Sequence, residues 1–144
     1  MENVLEAPTS FAAAAAAHSQ PSRKRLVWTG RIITALVVAF LLLDAVLKLL
    51  PIAPVVEAST RLGFAVTAIR PMGAILLVAT LLHVAPRTAV LGALLVTAYL
   101  GGATATLVRS GDPFWFPVAM GVMVWVGLLL RQPRVRALVL APSS

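Results

Sequence analysis

Asp44 and Lys48 lie in FLLLDAVLKLL, at the far end of the first long apolar run, and, apart from Arg31 and Arg70 near span starts, are the only acid and base inside any apolar run of this chain. A charge at the centre of a membrane helix costs about 2.5–3.5 kcal/mol on insertion scales. Residues kept at that cost need a reason, and three are open. The spacing is i, i+4 with the acid N-terminal, the favoured orientation for an intrahelical ion pair, with Lys48 snorkelling outward and Asp44 neutralising it. Alternatively, Asp44 faces Arg109 or Arg70 and ties two helices together. The third reading makes Asp44 a ligand- or proton-binding acid, the usual role of an intramembrane carboxylate. Arg109, Asp112, Glu57 and Arg61 lie just outside the apolar runs. With Asp44 and Lys48 they are the candidate binding residues.

Other chemistries find little support. There are no cysteines, which excludes disulfides, thiolate metal sites and thiol redox chemistry. His18 and His83 are too few and too far apart to suggest a metal site, and His83, close to a helix end, reads as an interfacial residue. No nucleophile elbow or phosphate loop is present. No catalytic residue is assigned, and the chain is read as having no enzymatic activity of its own.

The elements that position these residues are membrane helices. The chain has 144 residues, of which 60% are hydrophobic, against about 45–50% apolar in a soluble domain. A membrane helix needs about 20 mostly apolar residues, within roughly 17–25. The runs predict spans at about 28–50, 69–85, 88–108 and 114–130. The fold class is therefore all-α, an integral membrane four-helix bundle. The second span is short unless residues 69–71 join it. Between the first two spans, PVVEASTRLGF mixes apolar and charged residues and reads as a short amphipathic helix on the membrane surface. Residues 1–27 read as a disordered cytoplasmic tail, because the alanine run from Ala12 to Ala17 is too short to be a stable helix alone. Residues 132–144 read as a cytoplasmic C-terminal tail.

The formal net charge is +7, and its distribution sets the topology. Arg23, Lys24, Arg25, Arg31, Arg87, Arg131, Arg134 and Arg136 all fall on one side of an even number of spans. By the positive-inside rule both termini are cytoplasmic, and the expected location is the inner (cytoplasmic) membrane. No basic face with interleaved aromatics appears, so nucleic acid is not an expected partner. At a rise of about 1.5 Å per residue, Asp44 is roughly 24 Å along the first helix from Trp28, and Lys48 roughly 30 Å. Lys48 thus reaches the outer boundary of the core, with Asp44 about one turn beneath it. The polar groups converge on the outer mouth of the bundle.

The third span carries small residues every fourth position: Ala89, Ala93, Thr97, Gly101 and Ala105, widened by Ala98, Gly102 and Thr106. Small residues let helix backbones approach in lipid. Gly92, Gly101 and Gly102 are therefore read as packing positions. Thr97, Thr104 and Thr106 can return their hydrogen bonds to their own helix.

In order and spacing, RIITALVVAFLLLDAVLKLL, PVVEASTRLGF, PRTAVLGALLVTAYLGGATATLVRSGDP and WVGLLLRQPRVRAL resemble the DoxX-like family of small four-span membrane proteins. The resemblance covers about residues 31–138. It implies a four-helix membrane bundle and, in some relatives, an association with quinone-linked sulfur oxidation or with membrane oxidoreductase complexes. Asp44, Lys48, Glu57, Arg61, Gly63, Tyr99, Gly101, Gly102, Arg109, Gly111, Asp112 and Pro113 match common family positions. Two departures matter. Relatives often have a glutamate in the second span, where GAILLVAT has none, and a histidine where Leu107 stands. Both lower the case for redox or proton chemistry on this chain.

The leading expectation is a non-catalytic subunit or accessory factor of a membrane oxidoreductase system that binds quinone or lipid. Its expected partners are membrane lipid, an oxidoreductase and further copies of itself. The rival is a small proton-coupled transporter acting as an oligomer around Asp44, although transporters more often keep such an acid near the midplane.

Overall fold

The structure, a computed structural model, describes residues 7–50 and 52–140. It is all-α, with no strand among the described residues. Six helices follow one another: α1 (Ala7–Leu49), α2 (Ala53–Arg61), α3 (Val66–Val84), α4 (Ala89–Ser110), α5 (Trp115–Arg131) and α6 (Pro133–Leu140). Helices α1, α3, α4 and α5 form a ring in which α1 packs on α3 and α5, and α4 packs on the same two. Helices α1 and α4 are diagonal partners across that ring.

The interior is Val37, Leu41 and Ala45 from α1, Leu76 and Ala79 from α3, Ala93, Val96 and Leu100 from α4, and Met120, Val124 and Leu128 from α5. The exterior is equally apolar, with Leu36, Ile75, Leu94 and Val122 all more than half exposed. A helix that is apolar all round needs an apolar solvent. Residues Lys24–Leu49 of α1, all of α3 and all of α4 are long and apolar enough to cross a membrane, and α5 is a shorter apolar helix of 17 residues. The chain is an integral membrane helical bundle.

The two ends of the bundle differ in charge. Lys24, Arg25, Arg31, Arg87, Arg131, Arg134 and Arg136 mark a basic end. Among the described residues, the acids Asp44, Glu57 and Asp112 all lie at the other, mixed-charge end.

Glycines set the closest helix contacts. A Cβ built on Gly30 would sit 2.6 Å from Leu130 Cβ, and one on Gly127 would sit 2.6 Å from Thr34 Oγ1, so α1 and α5 nearly touch at the basic end. A Cβ on Gly73 would sit 2.9 Å from the Ala45 carbonyl oxygen, which joins α3 to α1 at the mixed end. A Cβ on Gly92 would fall on the backbone of His83, which joins α4 to α3 beside their connecting turn. Gly101 and Gly102 behave differently. Both are exposed, and a Cβ on either would meet nothing within 4 Å. The expectation that they pack against a neighbouring helix of this chain is corrected. The cause is helical geometry: at about 100° per residue, a period of four drifts about 40° per repeat. The stripe that faces the core at Ala89 and Ala93 has rotated out of it by Gly101. The buried positions instead run Ala89, Gly92, Ala93, Val96, Leu100.

Three further differences concern element bounds. Helix α1 extends back to Ala7, through most of the segment expected to be a disordered tail; residues 1–6 lie outside the described residues. Alanine is the best helix former, and a run added to an existing helix propagates without a new nucleus. Helix α6 occupies residues 133–140 of the expected C-terminal tail and buries Val135; residues 141–144 lie outside the described residues. Helix α3 begins at Val66 and carries Pro71 in its second turn, which extends the short second run.

Candidate functional site

The mixed-charge end holds a half-open cavity of about 680 Å³. Its floor is Leu41 and Leu100, its walls come from α1, α3, α4 and α5, and Pro54, Val55, Ala58 and Ser59 of α2 form a roof. The lining is predominantly apolar, and its polar groups include Asp44, Lys48, Tyr99 and Thr106. Thr106 returns its hydroxyl to the Gly102 carbonyl at 2.9 Å. A concave, mostly apolar site with a few convergent polar groups is the usual form of a small-molecule pocket, within roughly 300–1,000 Å³.

The Lys48 ammonium donates to the Asp44 carboxylate within α1. Of the two structural roles open for Asp44, the intrahelical pair is the one formed. Arg109 instead donates to the Leu62 carbonyl at 3.4 Å, and Arg70 is exposed on α3. Both side chains of the pair keep partial exposure, 17% for Lys48 and 32% for Asp44. Both line the cavity. A paired but accessible carboxylate and ammonium can accept from a hydroxyl and donate to a carbonyl oxygen.

The remaining candidates sit on the rim. Arg61, at the end of α2, donates to Asp112 at 3.1 Å. With Arg109 on Leu62, this ties the end of α2 to the end of α4. Gly63 (φ +88°) turns the chain from α2 toward α3, and Gly111 (φ +72°) ends α4 before Asp112. Both need the left-handed conformation that glycine adopts without strain. Glu57 is exposed on α2 and is not among the cavity-lining residues. The six candidate residues therefore divide into a pair in the cavity, three latch residues on the rim and one acid apart.

A family model described as DoxX-like matches residues 32–130, more than half of the chain. The chain belongs to the DoxX-like family. No curated protein and no solved structure matches it. Within this DoxX-like chain, Asp44, Lys48, Tyr99, Gly102 and Leu107 all line the cavity.

Two groups of residues escaped the sequence reading. Tyr99 is the single tyrosine of the chain and lies in a span otherwise built of aliphatic and small residues; that isolation was the available signal for its place in the cavity. His83 is completely buried rather than interfacial. Its Nδ1–H donates to the Ala89 carbonyl at 3.2 Å, since a carbonyl can only accept. Arg131 donates to the His83 carbonyl at 2.5 Å, Thr88 to Leu82 at 2.9 Å and Gln132 to Pro86 at 3.3 Å. The first and third of these bonds close the α3–α4 turn on itself, and those from Arg131 and Gln132 join it to the end of α5. The DoxX-like bundle is thus pinned at its basic end and hollow at the other. No group of three or more potential metal ligands occurs among the described residues.

Proposed function

We propose that this DoxX-like protein is a non-catalytic subunit or accessory factor of a membrane oxidoreductase system, and that its cavity holds a quinone or a lipid. It crosses the cytoplasmic membrane four times with both termini in the cytoplasm. The fourth crossing is α5, whose 17 residues meet the lower limit of roughly 17 for a span. The arginines clustered at the basic end support the orientation.

The single observation that carries the reading is the roofed apolar cavity with one ion pair inside it. An apolar ring or chain fills such a space, and a carbonyl or hydroxyl at one end meets Lys48 or Asp44. The transporter alternative needs an acid free to exchange protons, and Asp44 is engaged by Lys48.

Co-purification in mild detergent tests the proposal. Expected are an oxidoreductase partner in the eluate and a bound quinone or lipid in its organic extract. The extract should lose that ligand in Ala58→Trp, which fills the space under α2. A chain that emerges alone, with neither partner nor ligand, overturns the proposal. Proton-driven solute flux in proteoliposomes that vanishes in Asp44→Asn would favour the transporter instead.

A further inference from the structure

The cavity has four lateral seams between neighbouring helices; two are closed beside it and a third at its floor. Between α1 and α3, a Cβ on Gly73 would lie 2.9 Å from both the Ala45 carbonyl oxygen and Lys48 Cβ, so the two backbones leave no gap. Between α1 and α5, the Phe40 and Phe116 rings meet edge-on with centroids 4.9 Å apart. Between α4 and α5 the contacts lie at and below the floor: Trp125 Nε1 donates to Thr97 at 3.0 Å, and Leu100 reaches to 3.9 Å from a Cβ on Gly121.

The fourth seam, between α3 and α4, is different. At the basic end it is shut by Gly92 against His83. Beside the cavity its edges are Ile75 on α3 and Ala98 and Gly102 on α4. All three line the cavity, and all three are exposed. A Cβ on Gly102 would meet nothing within 4 Å. The small residues that the drifting stripe carries out of the core therefore make a slot rather than a contact.

We propose that the cavity opens sideways into the hydrocarbon through this slot, and that its ligand is a chain-bearing lipid with a neutral oxygenated head. This inference rests on the ligand reading proposed above. The head lies beside Asp44, Lys48 and Tyr99, and the tail leaves between α3 and α4 across Gly102 into the bilayer. A neutral head follows from the site's charge: Asp44 and Lys48 already cancel each other, so an ionised head would be left uncompensated in an apolar space. A tail follows from the slot's surroundings, since Ile75 and its neighbour Val78 face outward as large exposed aliphatics. A water-soluble solute would find an apolar, lipid-facing entrance there.

The test compares two adjacent glycines. Gly102 lines the cavity and Gly101 does not; both are exposed with open space at the Cβ position. Gly102→Leu and Gly101→Leu should both fold, and only the first should fill the slot. The probes, in nanodiscs, are a benzoquinone with a decyl tail and the same benzoquinone head without one, with diacylglycerol as competitor. The leucine side chain would occupy the path of the tail, so Gly102→Leu should weaken the tailed probe roughly tenfold or more, about 1.4 kcal/mol at least. The tailless head should bind the wild-type protein and Gly102→Leu alike, and Gly101→Leu should change neither. Competition by diacylglycerol would mark the site as one for glycerolipid as well as quinone, and its failure would restrict the site to quinone; either agrees with the slot. Equal effects of the two leucines, or equal weakening of both probes, would overturn the slot while leaving the ligand site standing. Failure of every probe and of the competitor to bind the wild-type protein would overturn the ligand reading, and the slot with it.

Discussion

Replacing Gly92 and Gly101 by alanine should give effects of opposite sign, although the two glycines lie on the same helix. They are nine residues apart, about two and a half turns, so they point to opposite faces of α4. At Gly92 the added methyl falls on the backbone of His83. That backbone has no room to retreat: its carbonyl accepts from Arg131 and its ring is tied to Ala89. Overpacking of a core typically costs 1–3 kcal/mol, and a clash with main chain belongs at the upper end, so about 3 kcal/mol is expected. At Gly101 the methyl meets nothing, and the remaining effect is helix propensity, which favours alanine by up to about 1 kcal/mol. The assay is reversible unfolding in mixed micelles, titrated with a denaturing detergent and followed by helical circular dichroism. Gly92→Ala should shift the midpoint toward lower denaturant, and Gly101→Ala should leave it in place or raise it. A Gly101→Ala protein as unstable as Gly92→Ala would refute the rotation of the stripe out of the core and put Gly101 back in a helix interface.

Two further predictions concern the polar contacts. Arg131→Met removes a charge-assisted hydrogen bond to the His83 carbonyl, a class worth about 1.5–3 kcal/mol; the same titration should show that loss, and an unchanged midpoint would show that the α3–α4 turn does not need it. A double-mutant cycle on Asp44 and Lys48 (to Asn and Gln) should give a coupling above about 1 kcal/mol, whereas the solvent-facing Arg61–Asp112 pair (75% and 27% exposed) should give about 0.2–1 kcal/mol. A larger coupling at the rim than in the cavity would contradict the placement of the Asp44–Lys48 pair.

The sequence carried the helices because a run of apolar residues at membrane length has one stable backbone solution. It also carried the pair at 44 and 48, since i, i+4 spacing determines proximity within a single helix. The cavity was not legible, because it depends on where helices diverge. Gly30, Gly127 and Gly73 decide that, and nothing in their immediate sequence marks them as contact positions. His83 shows the same limit. Its position near a helix end suggested an interface, and only the turn that returns Ala89 and Arg131 to it explains its burial. The alanine run of α1 was judged as an isolated peptide, when it continues a helix nucleated by the first span.

The most direct test of the ligand site is equilibrium titration of the purified wild-type protein in nanodiscs with the decyl-tailed benzoquinone, read by quenching of tryptophan fluorescence, beside Ala58→Trp and the paired Asp44→Asn/Lys48→Gln variant. Trp115 adjoins the cavity-lining Phe116 and supplies the signal. Saturable binding in the wild-type protein, lost when the space is filled and weakened when the pair is neutralised, is the predicted result. Binding that does not saturate, or that survives in Ala58→Trp, would place the probe in bulk lipid and contradict the site.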